Sequence, residues 1–356
     1  MSRRTYLDHA ATTPVLPEVR AAMAAAFEVW ANPNSPHGDG RAARAALEGA
    51  RETIAGALGW RHDVILTSGA SEAVMIAGRR AKVLGRILGA TEHDIVPYAM
   101  GEQARVLAVD SANLVDLAEL DAALAAGPAL VAIQQVNNET GVIQPLAEIG
   151  ARVRASGSLL LADCAQGAGK LDLPDADFIA VSAHKLGGPP GAGALLVRDL
   201  ATLDPSGGQE KGYRRGTQDV PSAVGFAAAL SSAAFRKAMP RLIALRQRLD
   251  DGVRAMGGVI IADDSPRIAT ISSVALRGAN AASLLVQLDL AGFAVSAGSA
   301  CSSGSMKPSR VLAAMGIAPD IAGGTVRVSF GPATSDAEID AFLVAFARIA
   351  SRPRAA

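Results

Sequence analysis

The sequence has 356 residues, 50% of them hydrophobic, and its 34 basic and 34 acidic side chains leave a formal net charge of +0. This length supports a large core and more than one domain, and the evenly spread charges favour neither a nucleic acid nor a membrane surface as partner. The two cysteines, Cys164 and Cys301, cannot build a disulfide framework and lack paired Cys/His spacing, so we expect no metal site. No signal peptide or membrane-spanning run is recognisable, which predicts a soluble, cytoplasmic protein.

Short β-type runs alternate with alanine-rich helical stretches in the first 200 residues, the pattern of an α/β protein with a mainly parallel sheet. The expected strands are 64–67, 106–109, 130–136, 158–162, 178–181 and 194–197. The expected helices are 17–29, 42–58, 71–88, 117–126 and 146–155. From about 220 to 255 the chain reads as one long helix. Short strands then follow at 259–262, 268–274, 293–296 and 326–330, which predicts a second, smaller α+β domain beyond a boundary near residue 240.

Polar side chains follow directly after three of the expected strands. They are Asn137-Asn138-Glu139, Asp163-Cys164-Ala165-Gln166 and Ser182-Ala183-His184-Lys185. Ligands of open α/β sheets bind in the crevice at the carboxyl ends of the strands, so we read the three clusters as one site.

Lys185 precedes the tight loop 187–191 rather than lying on a solvated helix face. An amine held in a cleft can attack an aldehyde, the chemistry of a lysine that binds pyridoxal 5'-phosphate (PLP) as a Schiff base. Ser182 and His184 would donate to its phosphate. Asp163 would pair with the pyridine nitrogen and Gln166 would reach the phenolic oxygen. The alternatives are a surface lysine and a turn or capping aspartate.

Two further segments add weaker signals. The turn before Ser71 leads a strand into a helix, and the free amides of a helix start bind anions, although Ser71 could equally be a plain N-cap. His93 follows a polar break, where an imidazole could stack on a cofactor ring and exchange protons; lone histidines are more often structural or merely exposed.

Late in the chain, Cys301 stands among the small residues of 296–305, the composition of a mobile loop. Cys164 has Ala162 and Ala165 near it at a strand end and reads as structural. A thiol in such a loop suggests a nucleophile. Arg327 lies in an otherwise apolar strand and needs an anion, either a substrate carboxylate or an internal acidic side chain.

Together these residues resemble the cysteine desulfurase family (NifS/IscS-like), within the class V aminotransferase group of PLP enzymes. The matching motifs span nearly the whole chain in order: Tyr6-Leu7-Asp8-His9-Ala10-Ala11-Thr12-Thr13-Pro14, Asn32-Pro33-Asn34-Ser35-Pro36-His37, Thr67-Ser68-Gly69, Glu92-His93, Val136-Asn137-Asn138-Glu139-Thr140-Gly141, Asp163 with Gln166, Ser182-Ala183-His184-Lys185, Gly207-Gly208-Gln209-Glu210, Arg215-Gly216-Thr217, Gly298-Ser299-Ala300-Cys301-Ser302 and Arg327.

The resemblance implies a fold type I PLP transferase. Its large domain (13–240) would contain a mainly parallel seven-stranded sheet between helices, and its small α+β domain (1–12 and 241–356) would carry the cysteine loop. It also implies removal of sulfur from L-cysteine, giving L-alanine and a Cys301 persulfide that passes to an acceptor such as an iron–sulfur scaffold protein.

Residue roles follow from the same resemblance. Lys185, Cys301 and His93 would be catalytic. The cofactor would be held by Lys185, Ala70, Ser71, His93, Asn138, Asp163, Gln166, Ser182 and His184, with Thr217 contributed across a homodimer. Asn138 and Arg327 would bind the substrate carboxylate. No resident metal is implied, and whether Cys301 also ligates a transferred iron–sulfur cluster stays open.

The chain departs from the family pattern at a few positions. Ser71 replaces a common threonine, and Asp219 replaces an asparagine. The segments after His93 and before Gly207 are shorter than usual in the family. The two short segments put partner docking, more than chemistry, in doubt. A selenocysteine lyase, another class V PLP enzyme such as an aminotransferase, and a non-enzymatic sulfur carrier are the alternatives.

Overall fold

The computed structural model describes residues 4–298 and 309–351. Within them the strands are β1 (Thr5–Tyr6), β2 (Asp63–Thr67), β3 (Gly85–Gly89), β4 (Arg105–Leu107), β5 (Ala129–Gln134), β6 (Leu159–Asp163), β7 (Phe178–Ser182), β8 (Gly193–Val197), β9 (Val259–Ile260), β10 (Ile271–Ala275), β11 (Phe293–Ala294) and β12 (Thr325–Ser329). The helices are α1 (Pro17–Ala26), α2 (Gly38–Ala57), α3 (Ala70–Arg80), α4 (Ile95–Met100), α5 (Leu117–Leu124), α6 (Leu146–Ala155), α7 (Val220–Ser232), α8 (Ala234–Ala255), α9 (Ala281–Leu290), α10 (Arg310–Ala314), α11 (Pro319–Ala322) and α12 (Asp336–Ala350).

A seven-stranded sheet in the order β2-β8-β7-β6-β5-β3-β4 forms the centre of the molecule. The pairs from β7 through β6, β5 and β3 to β4 are parallel, and β8 runs antiparallel to both of its neighbours. The predicted α/β fold with a mainly parallel seven-stranded sheet is therefore confirmed.

Helices cover both faces of this sheet, and for that reason its strands read as continuous apolar runs. Every residue of β5 is buried. Successive side chains of a strand point to opposite faces, so Val131 and Ile133 belong to a buried cluster with residues of α2, α6 and α7, while Leu130 and Ala132 belong to a second cluster with residues of α3 and α4. The buried clusters on the two faces hold the sheet in place, and they therefore also position the residues at the carboxyl ends of its strands.

Two smaller sheets lie in the remainder of the described chain. The order β12-β10-β9 forms an antiparallel sheet, and β1 pairs in parallel with β11. Asp8, two residues after β1, also bridges to Ser329 at the end of β12. The N-terminal residues thus associate with the C-terminal part of the chain, as the predicted small domain requires; its boundaries stay a prediction.

Two of the helices predicted from the sequence differ in part from the structure. The expected helix 71–88 ends at Arg80, and its last residues form β3. A short apolar run such as Arg86-Ile87-Leu88 has no periodicity that separates a buried strand from a helix. The expected helix 220–255 is two helices, because Ala233 adopts a left-handed conformation with φ of 50° between α7 and α8.

In the described ranges, no helix is both long enough and apolar enough to cross a membrane.

Candidate active site

A cavity of about 770 Å³ opens where β5, β6 and β7 end. It contains most of the predicted site residues, which are Ala70, Ser71, His93, Asn138, Asp163, Gln166, Ser182, His184, Lys185 and Arg327. Because they come from separate strand ends, the start of α3 and the later strand β12, only the folded chain brings them together. Thr217 is exposed and does not line this cavity, and Cys301 lies outside the described residues.

Lys185 lies in a short 3-10 turn (Ala183–Leu186) that follows β7 directly. Its Nζ donates hydrogen bonds to the carbonyl oxygens of Ala10 (2.7 Å) and Ala11 (2.8 Å). Burial, followed by the positive charge of Arg327, lowers the pKa of the amine from 10.5 to about 8, against an opposing effect of Asp163 and Asp8. The unprotonated, nucleophilic form of the amine is therefore far more populated near neutral pH than in an ordinary lysine.

Asp163 ends β6 beside this lysine. Its Oδ1 accepts a hydrogen bond from the backbone N–H of Ala165 at 2.9 Å. The alternative role as a turn residue is therefore correct, and it does not conflict with a second role in the cavity. Burial raises the pKa of the Asp163 carboxyl, while His93 and Lys185 oppose the shift. A buried carboxyl group lining a cavity can hold or share a proton with a ligand nitrogen, which is the role the sequence predicts.

Gln166 lies one turn further on. Its Nε2 donates to the Ala10 carbonyl at 2.9 Å, whereas its Oε1 is buried without a hydrogen-bond partner in the described parts of the chain. A buried polar atom without a partner costs free energy, so Gln166 has unused hydrogen-bonding capacity toward whatever fills the cavity.

The start of α3 forms one end of the cavity. Gly69 is its N-cap, with φ of 152°, and no side-chain cap is found there among the described residues. Ser71 is the second residue inside the helix, so its reading as an N-cap is wrong. A Cβ on Gly193 would lie 2.6 Å from the Gly69 Cα, so the close approach of strand and turn requires glycine. The uncapped amides and the helix dipole make this end suited to a phosphate.

His184 and His93 both line the cavity. Burial lowers the pKa of His184 to about 4, and its Nδ1 lies 3.2 Å from the Thr12 hydroxyl, so the ring is neutral at physiological pH. His93 is exposed toward the cavity, and its Nδ1 accepts from the Ile95 backbone N–H at 3.3 Å. That hydrogen bond places the proton of the neutral imidazole on Nε2.

Arg310, which the sequence analysis missed, holds the turn that bears His93. From the start of α10 its Nη2 donates to the Glu92 carbonyl at 2.8 Å and pairs with Asp94 at 2.9 Å. Glu92 is buried, which raises the pKa of its carboxyl group. No signal in the sequence singled out Arg310, because these contacts join positions more than 200 residues apart.

Arg327 reaches the cavity from β12. Its Nη2 lies 2.8 Å from Asp8 Oδ1, and its Nη1 donates to the Asn138 carbonyl at 2.8 Å. The alternative of an internal acidic partner is therefore correct, and Asp8 is that partner. The Nε of Arg327 is buried and unpartnered within the described ranges, so the guanidinium still has donors for a carboxylate.

Asp219, one of the departures from the family pattern, caps a helix. Its Oδ1 accepts from the backbone N–H of Ser222 at 3.0 Å, at the N-terminus of α7. A negative charge there is favourable to the helix dipole, which gives the residue a structural role independent of the cavity.

The cavity therefore offers a buried primary amine, a carboxyl group, an anion-binding helix start and a paired guanidinium. Its volume lies in the range of cofactor and small-molecule sites. The unpartnered Gln166 Oε1 and the uncapped start of α3 are the two places where a bound phosphate-bearing aldehyde such as PLP would complete the hydrogen bonding. The residues present fit that group.

Comparison with known proteins agrees with this geometry. Residues 5–342 match the model of the aminotransferase class-V family. The chain belongs to this family. Enzymes of the family, cysteine desulfurases among them, depend on PLP.

The chain is 37% identical to a cysteine desulfurase from Bradyrhizobium diazoefficiens, in an alignment that covers 98% of this chain and 95% of that protein. Its fold is similar to the X-ray structure of a NifS-like protein from Rickettsia africae, with a TM-score of 0.91, 28% identity and coverage of 98% and 99%. It is also similar to SspA in complex with cysteine, with a TM-score of 0.78, 29% identity and coverage of 93% and 100%.

Proposed function

We propose that this protein is a cysteine desulfurase that uses PLP to convert L-cysteine to L-alanine and leaves the sulfur as a persulfide on Cys301. The observation that carries the proposal is the convergence of Lys185, Asp163, the start of α3 and Arg327 on one cavity in a class V chain. Relatives of similar length that are named cysteine desulfurase support the choice of reaction.

In this proposal Lys185 would hold the cofactor through its aldehyde and Asp163 would pair with its pyridine nitrogen. The ring would be contacted by Gln166, His93 and Asn138, and the phosphate would be held by Ala70, Ser71, Ser182 and His184, all of which line the cavity. When bound, PLP supplies an electron sink that stabilises negative charge on the substrate carbons.

The protein side chains supply binding and proton transfer. Arg327 binds the substrate carboxylate through the donors that Asp8 and Asn138 leave free. Lys185, with its pKa near 8, can accept a proton from the substrate and return it at neutral pH. His93, with the proton on Nε2, can exchange a proton with the substrate or with a thiol.

Cys301 receives the sulfur. Its thiolate attacks the sulfur of cysteine; the substrate Cβ–S bond breaks, a Cys301 Sγ–S bond forms, and the two protons carried by the thiols end on alanine and the persulfide. Since an unperturbed thiol has a pKa of about 8.5, formation of the thiolate is the step on which pH acts.

We extend the proposal to partners and location. A homodimer would allow Thr217 to complete the phosphate site of the second subunit, since in its own subunit Thr217 is exposed and is not among the residues that line the cavity. The sulfur would pass to an acceptor such as an iron–sulfur scaffold protein. A persulfide-forming thiol must be kept reduced, which favours the cytoplasm.

The test compares three proteins loaded with PLP and supplied with L-cysteine and a reductant: the natural chain, Cys301→Ala and Cys164→Ala. Cys164 is buried, and burial raises its pKa well above that of a free thiol, so it serves as a control. We expect Cys301→Ala to retain cofactor absorbance and lose alanine and sulfide formation, and Cys164→Ala to keep both. Full activity of Cys301→Ala would overturn the nucleophile assignment. A strong preference for selenocysteine, or turnover that needs a keto acid, would favour the alternative class V activities.

A further inference from the structure

Asp8 is fixed next to Arg327 by the backbone. It follows β1, and the Asp8–Ser329 bridge together with the hydrogen bond from the Ser329 N–H to the Leu7 carbonyl (2.8 Å) fastens this segment to β12. Arg327 lies two residues before Ser329 on the same strand. The placement of the carboxylate is thus set by strand pairing rather than by a flexible side chain alone.

Both oxygens of the Asp8 carboxylate are used. Oδ1 accepts from Arg327 Nη2 at 2.8 Å, and Oδ2 accepts from the Ser296 hydroxyl at 2.7 Å. The backbone N–H and carbonyl of Ser296 in turn bond to the backbone of Arg327, at 3.3 and 2.6 Å. The side chains of Arg327 and Asp8 are only 9% and 18% exposed, so the pair is partly shielded from solvent.

These contacts leave a defined set of donors on the guanidinium. Arginine carries five N–H donors in a planar fork. Asp8 and the Asn138 carbonyl take one each from Nη2 and Nη1, which leaves three, including the buried Nε–H. Two anchors on different nitrogens fix both the position and the plane of the fork in a side chain that lines the cavity.

We infer that Asp8 is a positioning residue that orients Arg327 to bind the carboxylate of an amino-acid substrate. The inference rests on the proposed function in that it takes the ligand of Arg327 to be an α-amino acid. Asp8 itself does not line the cavity, so it acts through Arg327. Without it, the guanidinium keeps a single anchor and loses its counterion in a shielded position.

The experiment measures ligand affinity in the PLP-loaded full-length protein by isothermal titration calorimetry. The probes are L-alanine and L-alaninamide, which differ in that the second has a neutral amide in place of the carboxylate. The variants are Asp8→Ala, which removes both acceptors, and Asp8→Asn, which can still accept from Arg327 and donate to Ser296. Asp340→Ala, which breaks an exposed pair with Arg248, is the control.

We expect Asp8→Ala to weaken L-alanine binding about tenfold or more and to leave L-alaninamide within about threefold, because only a carboxylate uses the oriented fork. Asp8→Asn should restore L-alanine binding to within about threefold of the natural protein. The inference is overturned if Asp8→Ala binds L-alanine normally, if it loses both ligands equally, or if Asp8→Asn behaves like Asp8→Ala. Failure of the natural protein to release alanine from cysteine would refute the proposed reaction and leave this comparison intact, since it requires no bond cleavage.

Discussion

The lowered pKa of Lys185 makes a quantitative prediction about how the cofactor becomes attached. At pH 7 a pKa of about 8 leaves about 9% of the amine unprotonated, against about 0.03% for an ordinary lysine at 10.5. The difference is roughly 300-fold in the concentration of the nucleophile. Since the unprotonated form reacts, the rate of PLP incorporation into the cofactor-free protein should rise with pH and level off above about pH 8.

Lys170 is the matched control for this prediction. Burial and the charge of Lys185 lower the pKa of Lys170 to about 7, so its amine is at least as free of protons as that of Lys185. It packs over the Phe235 ring, with Nζ 4.7 Å from the ring centroid, and does not line the cavity. Access rather than pKa should therefore decide which lysine reacts.

The assay follows cofactor absorbance after PLP is added at pH 6 to 10, followed by borohydride reduction and peptide mass spectrometry. We expect the reduced cofactor on Lys185, its loss in Lys185→Ala, and its retention in Lys170→Met. Label on Lys170, or a rate that still rises tenfold per pH unit up to pH 10, would refute the reasoning.

Two further predictions concern the framework. Gly193→Ala should weaken PLP binding and lower stability, because the new Cβ would lie 2.5 Å from the Val181 carbonyl oxygen and 2.6 Å from the Gly69 Cα. Gly56→Ala is the control and should be neutral or stabilising, because no atom lies within 4 Å of its new Cβ. PLP titration and urea unfolding of both variants test this prediction. Asp250→Ala should lower the free energy of unfolding by about 3 kcal/mol because it removes the buried one of the two carboxylates that pair with Arg267, leaving only the more exposed Asp263. In the same urea experiment Asp340→Ala, at the surface, should cause no measurable change; equal effects of the two aspartate variants would contradict the burial argument.

Much of the fold follows from sequence pattern, and the failures have physical causes. Strands buried on both faces are visible as apolar runs between turns, as at β5 and β7. The sequence pattern does not separate β3 from the preceding helix, because its few residues carry no distinguishing period. The break between α7 and α8 rests on one left-handed alanine, a residue type that gives no signal for that conformation.

The site was predictable where a residue's neighbours in sequence carry the signal. Lys185 and Asp163 both follow strands directly, and the ends of parallel strands share one edge of a sheet. Nothing in the sequence indicates that Asp8 pairs with Arg327 or that Arg310 anchors the His93 turn, because those contacts depend on tertiary packing between distant segments.

The central claim is that sulfur moves from cysteine to Cys301 as alanine is formed. The most direct test mixes the PLP-loaded protein with one equivalent of L-cysteine in the absence of reductant, and measures alanine together with the mass of the peptide that contains Cys301. The account predicts equal amounts of alanine and of a Cys301 peptide heavier by one sulfur atom, with Cys164 unchanged. Alanine without added sulfur on Cys301, or sulfur on Cys164 instead, would contradict it.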